Sequence, residues 1–265
     1  MLDLENEQLR KTYQVCRLGF GILSVSLVLA CFTSILPLFV HFHPELSLRI
    51  LRSSWYQWID VPIAWGCLLG TTLLWGRWDH RGWQSRVGLL LVMCLVDVVL
   101  SLLQHGPALG METAQIGHDW FRANLGEALG WAEFALLASL SCDYLDHLEV
   151  EQAQDSGKST RMMAATGAVL WMLIFCLRTD WSAHWPLQHR PMRMSIEEFL
   201  LVQASLLIWA ITLMQVTALT ISSARQSGYV LDELEREDLA NDPLRTRSEF
   251  ADAFDTVAAN RDEWR

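Results

Sequence analysis

The sequence predicts an all-α fold: a polytopic integral membrane helical bundle of about six transmembrane helices, followed by a short cytosolic C-terminal helical tail. Three observations lead there. Apolar stretches recur at residues 18–41, 57–76, 87–105, 121–142, 161–178 and 198–222. A hydrocarbon core about 30 Å thick takes about 20 residues of helix, and with no water inside it each backbone group is paired within its own segment. Hydrophobic residues make up 52% of the chain, yet mean hydropathy is only +0.21, because the polar C-terminal region offsets the spans. With 265 residues the chain holds one helical bundle and a short appendage. The expected organisation is a cytosolic N-terminal segment at 1–17, a six-helix transmembrane domain at 18–222 and an acidic cytosolic tail at 223–265.

The first span is too long for the core of a cleaved signal peptide and shows no small-x-small site near its end, so it is expected to stay. Pro37, preceded by Thr33 and Ser34, predicts a local kink whose freed carbonyl a hydroxyl or a neighbouring helix satisfies. Ser34, Pro37 and His41 share one face. In the second span Asp60, Ala64, Cys67 and Thr71 line a face that begins near the predicted outer surface. Gly66 and Gly70 there, and Gly126 and Gly130 in the fourth span, form small-xxx-small patterns that bring helix backbones together. Packing within one chain accounts for both seams, and homo-oligomer formation is the alternative.

The third span carries an acid. Asp97 lies about 15 Å beyond Val87 at 1.5 Å per residue, near mid-bilayer. An ionised carboxylate there costs about 2.5–3.5 kcal/mol on insertion scales, so it is expected to be protonated, paired or turned to a wet cavity. Cys94, Asp97, Ser101, Gln104 and His105 recur at helical spacing as a polar stripe, with Leu90, Leu95, Val99 and Leu102 filling the remainder. The fourth span is the least apolar. Asn124, Glu127 and Trp131 share a face, and Glu133 is expected to point away from it, towards the glycine seam. The apolar part of the fifth span, Met162 to Leu177, reaches about 24 Å, so Arg161 and Arg178 are expected to snorkel.

Charge sets the orientation. Arg10, Lys11, Arg17, Arg77, Arg81, Arg86, Lys158, Arg161 and Arg225 lie near one membrane side, against Arg49, Arg52, Arg122, Arg178, Arg190 and Arg193. The excess places both termini in the cytosol, in a plasma or inner membrane. Trp55, Trp58, Trp120, Trp181 and Trp185 fall at the outer boundary and Trp75, Trp78 and Trp83 at the inner one, as interfacial rings do, while Trp65, Trp131, Trp171 and Trp209 lie within spans and read as packing. The outer loops contain no cysteine and no CxxC pair exists, so neither disulfides nor a thiolate zinc site is expected.

The tail from Ser223 to Arg265 carries a net charge of −5, half of the chain's −10, and should avoid anionic lipid. After Ser248, a candidate N-cap, Phe250, Phe254, Val257 and Ala258 form a helical apolar stripe suited to docking, on the protein's own loops or on a partner. Nothing basic and aromatic points to nucleic acid. Gly157 to Thr160 resembles the end of a phosphate-binding loop, but Gln152 stands where the first glycine belongs. H-E-x-x-H, E-x-x-H and G-x-S-x-G are absent.

No lysine lies within a span and the arginines keep to span ends, so the intramembrane acids need a proton, a histidine, a metal or another ion as counter-charge. The leading reading is therefore a transporter-like membrane protein that handles a cation or proton. Asp97 is its central group, with Asp60, Glu127, Glu133, Ser101 and His105 as partners. A non-catalytic membrane subunit or scaffold, docking a partner through Phe250, Phe254 and Val257, is the competing reading. A membrane-embedded metal or haem enzyme is third, with His41, His43 and His105 as candidate ligands; the sequence itself requires no cofactor.

Overall fold

In a computed structural model of the chain the described residues are 2–39, 58–76, 82–104, 117–150, 153–178 and 196–240. Their regular structure is helical throughout: α1 (Leu2–Phe39), α2 (Asp60–Leu74), α3 (Trp83–Gln104), α4 (Gly117–His147), α5 (Ala153–Arg178) and α6 (Ile196–Ala240). Glu7–Ser34, Trp83–Leu103 and Gln203–Arg236 are each long and apolar enough to cross a membrane, and Asp60–Leu74 is a shorter apolar helix. Helices of this length and composition mark the chain as membrane-associated. Large apolar side chains cover the outside, among them Phe32, Leu69, Val92, Val169, Met172 and Leu207, while serines and threonines are buried. That distribution suits a non-aqueous surrounding better than water.

Hydroxyls do not break these helices because they bond one turn back. Ser24 donates to the Phe20 carbonyl at 2.7 Å, Thr212 to Ile208 at 2.7 Å, Thr217 to Leu213 at 2.7 Å and Ser223 to Leu219 at 2.9 Å. Each group is thereby satisfied without water. Pro62 occupies the first turn of α2, where its missing N–H is not needed. The helix ends are built as deliberately. At the end of α2, Trp75 is extended, its N–H bonds the Thr72 carbonyl at 3.2 Å, and Gly76 follows at φ 69°. The indole N–H of Trp83 reaches back to the Leu74 carbonyl at 3.3 Å. Trp83 is only 1% exposed, so it caps α2 instead of lying at the interface as its sequence position suggested. At the end of α4 the Val150 N–H bonds the Leu145 carbonyl and the Glu149 N–H bonds the Asp146 carbonyl, both at 3.0 Å. This is a Schellman cap, with Glu149 at φ 56° in the position that glycine normally takes.

Each helix packs against the next, and α6 packs back on α1 to close a ring; α4 and α6 also meet. The pairing is antiparallel between neighbours. Arg10 bonds Glu235 at 2.7 Å while Cys31 meets Thr217 at 3.5 Å, which runs α6 against α1. Thr71 meets Cys94 at 3.8 Å, and Gln215 accepts from Thr160 at 3.2 Å. The start of α1, the end of α6 and the α2–α3 and α4–α5 turns consequently lie at one end of the bundle. There Tyr144 of α4 is fully buried against the rings of Phe20 and Trp83, at centroid distances of 5.0 and 6.4 Å, with its hydroxyl 2.6 Å from that of Ser227.

Two helices outrun their expected apolar limits. The residues expected as an N-terminal segment continue α1 back to Leu2, and the first part of the expected tail continues α6 to Ala240. Likewise α5 begins at Ala153, eight residues before its apolar stretch, which gives it a length its apolar run alone lacks. The glycine seams are filled from within the chain. A Cβ on Gly70 would lie 2.7 Å from Leu23 and 2.9 Å from the Gly19 carbonyl, Gly66 packs on Ser26, and Gly130 accommodates the ring of Trp209. Among the described residues nothing lies within 4 Å of a Cβ placed on Gly126.

Gly70→Leu should therefore destabilise the α1–α2 contact by about 1–3 kcal/mol, read as a lower melting temperature of the detergent-solubilised protein. Gly21→Ala, where no atom lies within 4 Å of the new Cβ, should not lower it. Glu149→Gly, by relieving a left-handed residue, should raise stability by about 0.5–1 kcal/mol in the same measurement.

Candidate functional site

The inward face of α2 is the one its spacing predicts. Ala64 and Thr71 are buried, Cys67 is half-buried, and Asp60 is exposed at the end of the helix. Asp60 also stands in the first turn, where a carboxylate complements the helix dipole, so its position has a structural reason of its own. The stripe on α3 faces inward as well: Cys94 and Ser101 are buried and Asp97 is half-buried, whereas Leu95, Val99 and Leu102 are exposed on the opposite side. Leu90 belongs to the buried core, not to the outer face.

From α4 it is Glu133 that meets this stripe. Glu133 lies within electrostatic reach of Asp97 and beside the Cys94 thiol, and its Oε1 is buried with no hydrogen-bond partner among the described residues. Glu127 is exposed. The helix is rotated so that Trp131 and Phe134 pack on Trp209 of α6, with centroids 4.8 and 4.7 Å away, and that rotation turns Glu133 towards α3. Glycine makes the rotation possible: Gly130 leaves room for Trp209 and Gly167 of α5 leaves room for Trp131.

Two of the three acids sit level with each other on α3 and α4, and the third is displaced along the bundle. Asp97 and Glu133 are eleven and ten residues from the Arg86–Asp143 ion pair that joins α3 to α4, so both sit about 15 Å above it. Asp60 interacts electrostatically with Asp97 and lies roughly 12 Å nearer the far end of the bundle, judged from the Thr71–Cys94 contact. Below the acids the interior is closed by Leu74, Val87, Leu90 and Leu140, each 0% exposed, and then by Trp83 and Tyr144. Asp143 is the ion-pair partner of Arg86.

Among the described residues no cation pairs with Asp97 or Glu133, and no three His, Cys, Asp or Glu side chains are gathered closely enough to hold a metal ion. Ser101 lies on the same face of α3 as Asp97, one turn nearer the far end. His41, His43, His105 and the docking residues Phe250, Phe254 and Val257 lie outside the described residues. The sequence signal that Glu133 and Glu127 occupy different faces was present in their spacing; which of the two faces turns inward was not, because that depends on the Trp131–Trp209 contact. No family model, curated protein or solved structure matches this chain.

If Asp97 and Glu133 serve a ligand and not the fold, neutralising them should leave the bundle intact. Asp97→Asn and Glu133→Gln should each hold or raise the melting temperature, by up to about 1 kcal/mol of added stability, because a carboxyl between helices with no cation beside it among the described residues, and in Glu133 with Oε1 unpaired, is replaced by a neutral group of equal size. A fall of several degrees in either variant would assign that carboxyl to the fold.

Proposed function

We propose that this chain is a multi-pass membrane protein whose six helices cross the bilayer, with both ends of the bundle's sequence on the cytosolic side, and that it handles a proton or small cation at the carboxylates between α2, α3 and α4. The observation that carries the reading is the unpartnered, buried Oε1 of Glu133 beside Asp97, in a bundle whose outer surface is apolar. Such groups persist within apolar surroundings chiefly where they serve function.

Six helices among the described residues put both ends of the sequence on one side, and the excess of arginine and lysine at the end bearing the α2–α3 and α4–α5 turns supports a cytosolic placement of that side. Asp60 then stands at the outer mouth, with Asp97 and Glu133 deeper and at about the same level as each other. A proton that reaches Asp97 from the mouth can be shared with Glu133 beside it, and the apolar plug of Leu74, Val87, Leu90 and Leu140 keeps it from the cytosolic side in this conformation. Two neighbouring carboxyls with no third metal-ligating side chain gathered beside them among the described residues favour a proton over a multivalent metal, which needs several ligands around one point. Conduction through the plug requires α3 and α4 to shift relative to each other, and the Arg86–Asp143 pair is the cytosolic contact between them.

The test is flux in proteoliposomes containing the full chain and a pH-sensitive dye, under imposed proton and monovalent-cation gradients. Wild type should show a gradient-dependent signal, Asp97→Asn should reduce it at least tenfold with membrane insertion intact, and Glu127→Gln, on an exposed position, should leave it near wild type. Equal flux in wild type and Asp97→Asn rejects the assignment.

A further inference from the structure

A groove of about 430 Å³ runs between α1 and α6 at the end of the bundle that bears the α2–α3 and α4–α5 turns. Its rim carries Arg17 of α1 and Arg225 of α6, and its floor is made of Gly21, Ser24, Ile221 and Ala224. Arg17 reaches across towards α6: its guanidinium carbon lies 3.5 Å from where a Cβ on Gly228 would be, so the absence of a side chain there leaves the arginine its place. Neither arginine takes part in an ion pair among the described residues, and both are exposed. A second groove, also of about 430 Å³, shares Arg17 and Gly21 and continues over the outer face of α1 past Leu18, Ile22 and Val25.

Two arginines lining a groove between α1 and α6, which meets an apolar strip on the face of α1 at Arg17, match the shape and charge of a diacyl phospholipid. Arg17 lies seventeen residues from Ser34, about 26 Å along α1, which puts it at headgroup level if that segment crosses the hydrocarbon. We infer that the α1–α6 groove is a binding site for an anionic glycerophospholipid, whose phosphodiester is held by Arg17 and Arg225 and whose two acyl chains lie along the Ser24–Ile221 and Leu18–Val25 channels. Guanidinium groups suit the phosphate by their paired donors and their weak hydration. Asp232, the acid on the rim, accepts from a headgroup hydroxyl and leaves the site with a net positive charge. Tyr229, 65% exposed beside it, is placed as an interfacial ring.

This inference rests on the membrane-spanning reading above, though not on proton handling. The experiment is native mass spectrometry of the full chain in mild detergent, titrated with palmitoyl-oleoyl phosphatidylglycerol or phosphatidylcholine, alongside alkaline extraction of the membranes in which it was made. Wild type should retain phosphatidylglycerol roughly tenfold better than phosphatidylcholine, and Arg17→Gln with Arg225→Gln should abolish that preference. Gly21→Leu should weaken both lipids, because the new side chain enters the channels from a position with no neighbour to clash with. Equal retention of the two lipids by extraction-resistant protein, an unchanged preference in the double variant, or full displacement of the lipid by millimolar inorganic phosphate each overturns the lipid site alone. Release of the wild-type protein by alkali overturns the spanning reading, and the site with it.

Discussion

Polar groups set among aliphatic side chains have no water to turn to, and the way this chain settles them governs its architecture. The backbone is paired within long helices. Serine and threonine hydroxyls bond the carbonyl one turn behind them, as at Ser24, Thr212, Thr217 and Ser223. The carbonyls at the end of α2 are met by an indole N–H and those at the end of α4 by a Schellman cap. Glu133 Oε1, like Ser141 Oγ, is buried without a hydrogen-bond partner among the described residues, and of the two it is the one that can carry charge, beside Asp97.

The existence of the helices was legible in the sequence because each apolar run is long enough to demand a helix that pairs its own backbone. The faces of α2 and α3 were legible for a related reason: polar residues at three- and four-residue intervals can only share one side of a helix. Their extents were less so. Charged residues continue α1 back to Leu2 and α6 on to Ala240, where Arg10 and Glu235 join the two helices, and hydropathy carries no record of a helix that goes on past its apolar part.

The fourth helix was the hardest to read. Its low apolarity made it look like the weakest member, yet it contributes Trp131, Phe134, Leu140 and Tyr144 to the core and, among the described side chains, none of the large exposed apolar ones. A helix that meets protein on most sides can be polar in composition without meeting lipid. Spacing placed Glu127 and Glu133 on separate faces, but their absolute rotation is fixed by rings from another helix, which no local pattern encodes.

The seating of Trp131 on Gly167 and of Trp209 on Gly130 ties four positions on three helices to one another. Enlarging a glycine or shrinking a tryptophan alone leaves a collision or a void, so drift at these positions must be concerted. Descendants of this chain should therefore change them as matched sets, and any lineage that keeps the glycines while losing the indoles would have freed its fourth helix to turn a different residue inward.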